Sequence, residues 1–276
     1  MAPLAHTLAL LAITVATAAI EVKPLDMAQD SFDDQYRGCG PAMTAALLAL
    51  NHSEFQKNPF FAQVWVKAAA KWQSQAPPQS QAPPDSPLSP DQATAIMAYT
   101  MDDLHKEFNA AVRVAGRSPQ EYRDNFHFKT FHFLLTDALV TLRDAQKREC
   151  KELLHQICGV QFRAKCGDTI RLGEFTSMLT NETTGNCSGK ETLLQVWTCQ
   201  GVEIRYFSDN LQNWGVLIPP FETFKVNQVT ETGDKTVIQL RSTGTYSKHN
   251  CEWLKGDTTG NRLGRRGHPL WPWGHP

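Results

Sequence analysis

The chain lacks most of the motifs by which an enzyme announces its chemistry. No GxGxxG follows a strand-like run, which leaves a Rossmann dinucleotide fold unsupported. There is no GxSxG elbow, no HExxH helix and no P-loop, so the common hydrolase, metalloprotease and NTPase sites are absent. No CxxC pair occurs, and Cys150, Cys158 and Cys166 are evenly spread without a partnered His motif, so no metal is expected. A large charge of either sign is also missing. The formal net charge is -1, which argues against nucleic acid and anionic membrane as partners. About 20 consecutive apolar residues are needed to cross a bilayer, and the apolar run from Leu8 to Ala19 stops short of that, with Glu21 and Lys23 close behind.

That run, which ends in small residues, reads as a cleaved signal peptide over residues 1–19. Sequons at Asn51, Asn181 and Asn186 agree with passage through the secretory pathway, although so short a motif also arises by chance. Seven cysteines in an extracellular chain imply a disulfide framework with one sulfur left over, and the pairing is open from spacing alone. Hydrophobic content of 41% is enough for a real core, and residues 20–255 read as a single domain. Within it, residues 73–90 begin with a tandem QSQAPP and continue Pro-rich, a solvated insertion without large apolar side chains.

Around the insertion the pattern is helical: Met43 to Leu50, Phe60 to Trp72, Thr94 to Val114, and a stretch from Phe128 with Phe131, Leu135, Leu139 and Leu142 at spacings of three and four. From Cys158 onward, short β-branched and aromatic runs predict strands at Thr192 to Thr198, Ile204 to Phe207, Val216 to Ile218, Phe221 to Val229 and Thr236 to Arg241. Helices followed by strands, without alternation, indicate an α+β fold.

Seven separated motifs carry a more specific signal: SFDDQYRGC from Ser31, EFNAAVR from Glu107, GRSPQEYRDNFHFKTFHFLLTDAL from Gly116, VQFR ending at Arg163, RLGEFTS from Arg171, VWTC ending at Cys199 and VLIPPFETF from Val216. In this order they resemble the vertebrate arginine-specific mono-ADP-ribosyltransferases, over about Ser31 to Trp253. The resemblance implies a helical N-terminal half packed on a β-rich C-terminal half that forms an NAD cleft. It also implies transfer of ADP-ribose from NAD to an arginine-bearing protein, with nicotinamide released, NAD as substrate and no metal. It assigns Arg163 to the NAD phosphates, a task suited to a planar guanidinium fork, and Ser177 to the nicotinamide ribose.

At a third site the chain departs from the family. Where relatives carry Glu-X-Glu before VLIPP, it has Asn213, Trp214 and Gly215, and Leu179 stands where another Ser is usual. Departure of nicotinamide leaves an oxocarbenium-like ribose that carboxylates stabilise, and losing one such group costs about 100- to 1,000-fold in turnover, roughly 3 to 4 kcal/mol. Asn213 can hydrogen-bond a guanidinium but carries no charge, and Gly215 has no side chain, so turnover is expected to be weak or lost. Glu174, Glu203, Asp209 and Glu222 are the nearby acids, with Asp209 in the same loop.

By the same resemblance Cys39 pairs with Cys251 and Cys158 with Cys199, the latter tying the Arg163 strand under the cleft. The pairing of Cys150, Cys166 and Cys187 is left open, a bridge between Cys166 and Cys187 with Cys150 odd being one arrangement. The end of the chain, residues 256–276, lacks the apolar run of a glycolipid-anchor signal and reads as a disordered tail, so a freely secreted protein without a stable membrane anchor is expected.

Overall fold

Proline and serine set where the helices begin. In the computed structural model, which describes residues 21–75, 86–179, 185, 187–212 and 214–256, a short strand β1 (Glu21–Pro24) precedes α1 (Gly40–Lys57), α2 (Pro59–Gln75), α3 (Pro90–Thr100), α4 (Leu104–Ala115), α5 (Pro119–Asn125) and α6 (Lys129–Ala145). Pro59, Pro90 and Pro119 open their helices, where a missing N–H costs nothing. Ser89 and Gln92 form a capping box on α3, and Ser118 accepts from Glu121 N on α5. The continuous helix expected over Thr94 to Val114 is two helices. Asp102 and Asp103 sit at φ +49° and +60°, a left-handed break that aspartate tolerates better than most residues.

The described strands continue with β2 (Lys151–Cys158), β3 (Val160–Arg163), β4 (Thr169–Arg171), β5 (Thr176–Met178), β6 (Glu191–Thr198), β7 (Val202–Glu203), β8 (Val216–Ile218), β9 (Glu222–Thr232) and β10 (Lys235–Thr245), and α7 (Glu252–Lys255) closes the described chain. A five-stranded sheet runs β2-β6-β10-β9-β4, a three-stranded sheet β5-β8-β7, and β1 pairs with β3. All pairings in the larger sheet are antiparallel except β10 with β6. The α+β expectation holds, and the strands foreseen at Thr192, Val216, Phe221 and Thr236 lie in β6, β8, β9 and β10. Ile204 to Phe207 is not a strand. It is a single 3-10 turn over Arg205–Phe207, whose alternation reflects packing of Phe207 against Trp72 and not sheet pairing. The stretch before Cys158, left unassigned by periodicity, is β2.

Two cores result. The helical core is largely aromatic: Phe32 stacks on Tyr122 at 4.2 Å between centroids, and Phe108, Phe126, Phe131 and Phe175 fill the space around α6. The second core joins both larger sheets through Leu153, Ile170, Met178, Leu194, Val196, Val216, Ile218, Phe224 and Ile238. Buried carboxylates serve as joints. Glu54 of α1 accepts from Lys129 N and Thr130 N and so caps α6. Glu222 accepts from Cys199 N, Gln200 N and the Thr198 hydroxyl. Burial raises both carboxyl pKa values, partly offset by these hydrogen bonds.

The two aspartates of SFDDQYRGC bind the chain's ends together. Asp33 pairs with the Arg171 guanidinium, both side chains fully buried, and accepts from Lys248 N and His249 N. Asp34 accepts from Tyr36 N, Cys251 N and Glu252 N. Beside them Cys39 and Cys251 are bridged, with Cα atoms 6.1 Å apart, as the resemblance implied.

The other pairing expected is corrected: Cys150 bonds Cys199, and Cys158 bonds Cys187. The reason is register. Antiparallel β2 and β6 place Lys151 opposite Thr198 and Cys158 opposite Glu191, at the two ends of the ladder. At about 3.4 Å per residue, Cys158 lies roughly 27 Å along the ladder from Cys199, far beyond the ~7 Å reach of a disulfide. Of the three cysteines whose pairing was open, Cys166 is the free one, and it is exposed. The signal peptide over 1–19, most of the Pro-rich insertion, the tail beyond Gly256, and Asn181, Asn186 and Asn213 lie outside the described residues. Asn51 is half-buried within α1, its Oδ1 enclosed without a partner. Among the described residues no helix is long and apolar enough to cross a membrane.

His132, fully buried in α6, has Nδ1 2.8 Å from the Tyr36 hydroxyl, and burial pushes its pKa down to about 3. The unfolded chain takes up a proton near pH 6.5 that the native state refuses, so stability falls as pH drops from about 6.5 towards 3. The expected loss is roughly 3 kcal/mol between pH 7 and pH 4. Denaturant melts across this range should show a slope that His132→Gln flattens by about that amount; equal slopes for the two proteins would refute it.

Candidate functional site

Ser177 lies on β5, paired with Leu217 of β8. Its strand is held from the helical side: the Tyr99 hydroxyl donates to Phe175 O at 2.8 Å, and the Asn109 side chain donates to the same oxygen at 2.9 Å while its Oδ1 accepts from Phe175 N. Burial raises the Tyr99 phenol pKa, keeping it a neutral donor. A hollow of about 300 Å³ opens beside Ser177, lined by Tyr99, His105, His155, Glu174, Thr176, Leu179 and Trp214 among others. An adjoining groove of about 380 Å³ shares His155, Glu174 and Thr176 and extends past Lys23, Arg113 and Phe162. Together they make one cleft at the meeting of the helical half, β2 and β5.

Trp214 forms a wall of the hollow. Its ring meets His105 edge-on at 5.2 Å and Tyr99 at 5.6 Å. His105 is half-buried with Nδ1 enclosed and unpartnered, and burial lowers its pKa. None of His105, His155, Tyr99 or Trp214 stood out by spacing in the sequence, because they come from α4, β2, α3 and a loop and only the packing brings them together.

Gly215 follows Trp214 and is buried, its carbonyl accepting from Ile204 N at 2.9 Å. A Cβ built there would lie 2.7 Å from Met178 O and 3.2 Å from Leu179 Cδ2. A backbone oxygen cannot swing aside as a side-chain tip can, so a side chain at position 215 would collide with β5 as it stands. The substitution visible in the sequence is therefore built into the packing.

Arg163 is not among the residues lining the hollow beside Ser177. It is exposed at the end of β3, its carbonyl accepts from Leu25 N at 2.8 Å, and it lines neither part of the cleft. Its strand, expected to lie under the cleft, pairs with β1, outside the two larger sheets. Two other arginines line the groove: Arg113, ion-paired with Glu174, and Arg171, whose buried guanidinium is paired with Asp33.

The nearby acids separate cleanly. Asp209 is bound by Lys71, with its N–H donating to the Thr100 hydroxyl, and does not line the hollow. Glu203 lies 3.7 Å from Arg205, and Glu222 is buried in the sheet. Glu174 alone of these four lines the cleft. Among the described residues no group of three or more metal-ligating side chains converges.

Residues 25–248 match the family model described as NAD:arginine ADP-ribosyltransferase. GPI-linked NAD(P)(+)-arginine ADP-ribosyltransferase 1 of Mus musculus is 46% identical over 244 residues, covering 84% of this chain and 74% of that one. NAD(P)(+)-arginine ADP-ribosyltransferase 2 of Gallus gallus is 41% identical over 245 residues, covering 88% and 76%. Among solved structures, the eucaryotic mono-ADP-ribosyltransferase ART2.2 superposes with a TM-score of 0.68 at 28% identity, over 83% of this chain and 98% of its own. A variant of that enzyme in complex with NAD gives the same TM-score at 29% identity.

Proposed function

The chain belongs to the NAD:arginine ADP-ribosyltransferase family, and from that premise we propose that it binds NAD in the cleft beside Ser177, faces an arginine-bearing protein as acceptor, and turns over weakly or not at all. The proposal extends to an extracellular setting, which the three disulfides among the described residues support.

In the family reaction the ribose–nicotinamide bond breaks with its electron pair going to the ring nitrogen. The ribose cation then accepts the lone pair of an acceptor guanidine nitrogen, which gives up a proton. What the cleft supplies towards this is a hydroxyl at Ser177, an aromatic wall at Trp214 and Tyr99, and a cationic side chain at Lys23 in the adjoining groove. The adjoining volumes of about 380 and 300 Å³ suit an extended dinucleotide. What the cleft lacks is a carboxylate at position 215 to meet the cation. The closeness of Gly215 to Met178 O is the observation that carries the reading of weak or lost turnover.

Purified protein should bind NAD in a calorimetric titration. It should transfer ADP-ribose to an arginine analogue at least about 100-fold more slowly than an active relative; a comparable rate would overturn the reading. From the sequence alone, Gly215→Glu is expected to revive NAD hydrolysis, and Asn213→Glu with Gly215→Glu to revive transfer. The packing changes that expectation. Gly215→Glu should destabilise the fold by about 2 kcal/mol through overpacking against β5 and should leave hydrolysis near the native level. A variant that hydrolyses NAD briskly at native stability would show that β5 yields.

A further inference from the structure

Resting on the reading that the acceptor is an arginine, the cleft can be searched for a group that would recognise a guanidinium. The family's acceptor-orienting acid has no counterpart here, since position 213 is Asn. Asp209, Glu203 and Glu222 are engaged elsewhere and do not line the cleft, and Asp26 lines the groove but not the hollow beside Ser177 and accepts from Ala28 N. Glu174 lines both of its parts, three residues before Ser177 in the chain. The structure already shows this carboxylate holding a guanidinium: Arg113 Nη1 donates to Glu174 Oε2. The Arg113 side chain is 52% exposed and that of Glu174 30%, so the pair stands at the cleft mouth, open to solvent.

We infer that Glu174 is the guanidinium-recognition residue of this cleft, and that Arg113 occupies it from within the same chain. Carboxylate and guanidinium match as planar forks, so the contact that binds Arg113 binds any arginine side chain presented in the same place. An ion pair this exposed is held weakly, by less than about fivefold over its open form. An incoming acceptor arginine therefore competes on nearly even terms and docks by displacing Arg113. The arrangement retains selectivity for arginine at a site that lacks the family's acid, and sets it behind a low, self-supplied threshold.

Ethylguanidinium titrated into the full chain at constant ionic strength, followed by NMR chemical-shift changes, tests this. Native protein should bind it saturably and more tightly than ethylammonium, which lacks the planar fork. Arg113→Gln should tighten binding, by up to about fivefold, by removing the internal competitor. Glu174→Gln should weaken it at least tenfold, with Glu174→Asp in between. Arg113 is exposed and Glu174 is half-buried at the cleft mouth, so near-native melting temperatures are expected and verify that each variant folds. Equal binding by native protein and Glu174→Gln, no tightening in Arg113→Gln, or no saturable binding even in Arg113→Gln would each overturn the inference. NAD titrated separately keeps the two readings apart. If NAD fails to bind while guanidinium binding still depends on Glu174, the NAD reading falls and this one stands.

Discussion

Oxidised protein carrying Cys39→Ser and Cys251→Ser is expected to lose about 5 kcal/mol of unfolding free energy. The bridge closes a loop across a sequence separation of 212 residues, and in the chain-entropy model a loop of that length restrains the denatured chain by about this much. The native contacts beside it do not depend on sulfur: Asp34 still accepts from Cys251 N at 2.9 Å and Glu252 N at 2.8 Å. The folded state should therefore keep its form while the denatured state expands, which appears as a higher denaturant m-value as well as a lower midpoint. A double variant with the native midpoint would contradict the model.

Asp33→Ala is expected to cost about 4 kcal/mol, because removing one partner of a buried ion pair leaves the other charge uncompensated. Arg171 is fully buried; besides Asp33 it reaches Met27 O at 2.8 Å and Ala28 O at 3.0 Å, and it lies under the Tyr246 ring. Those carbonyls hold its donors but supply no countercharge. Asp33 also accepts the backbone N–H groups of Lys248 and His249, so the variant detaches the C-terminal segment from β4 as well. Replacing both residues together by apolar ones of similar volume should cost much less than Asp33→Ala alone. Chemical denaturation of the three proteins measures the difference, and a single variant within 1 kcal/mol of native, taken as about the size of an ordinary substitution, would dismiss the pair's importance.

How much of this was legible beforehand depended on whether the signal was local. Val216 to Ile218 and Thr236 to Arg241 announced strands because their neighbours on the sheet demand apolar side chains at those positions. Ile204 to Phe207 wrote the same alternation for a turn, since period two over four residues cannot tell pairing from packing. The break at Asp102 and Asp103 was hidden because apolar spacing continues on both sides of it. The partners of Cys158 and Cys199 followed from the register of β2 on β6, and register is not written in cysteine spacing. The replacement of Glu by Gly215 could be read directly; that Met178 O fills the space beside it could not. Arg163 was placed by its motif, yet β3 pairs with β1, a partner far away in the chain. Glu174 was visible in RLGEFTS without any mark of its position at the cleft.

In a chain made from its N-terminus, Cys39 appears long before the residue it will bond. Meanwhile the helices can pack, for α1 with α2, α2 with α3 and α3 with α4 are successive neighbours. The five-stranded sheet cannot close: β10, its middle strand, is the last of its strands to be made, and β6 and β9 both wait for it. Throughout that interval the Cys39 thiol stands open to mispairing with Cys150, Cys158 and later cysteines. The Cys39 to Cys251 bond is thus a seal on finished synthesis. A chain released before Cys251 is made leaves Cys39 without its native partner, reduced or mispaired, so mapping the partner of that one cysteine would separate molecules that contain Cys251 from those that do not.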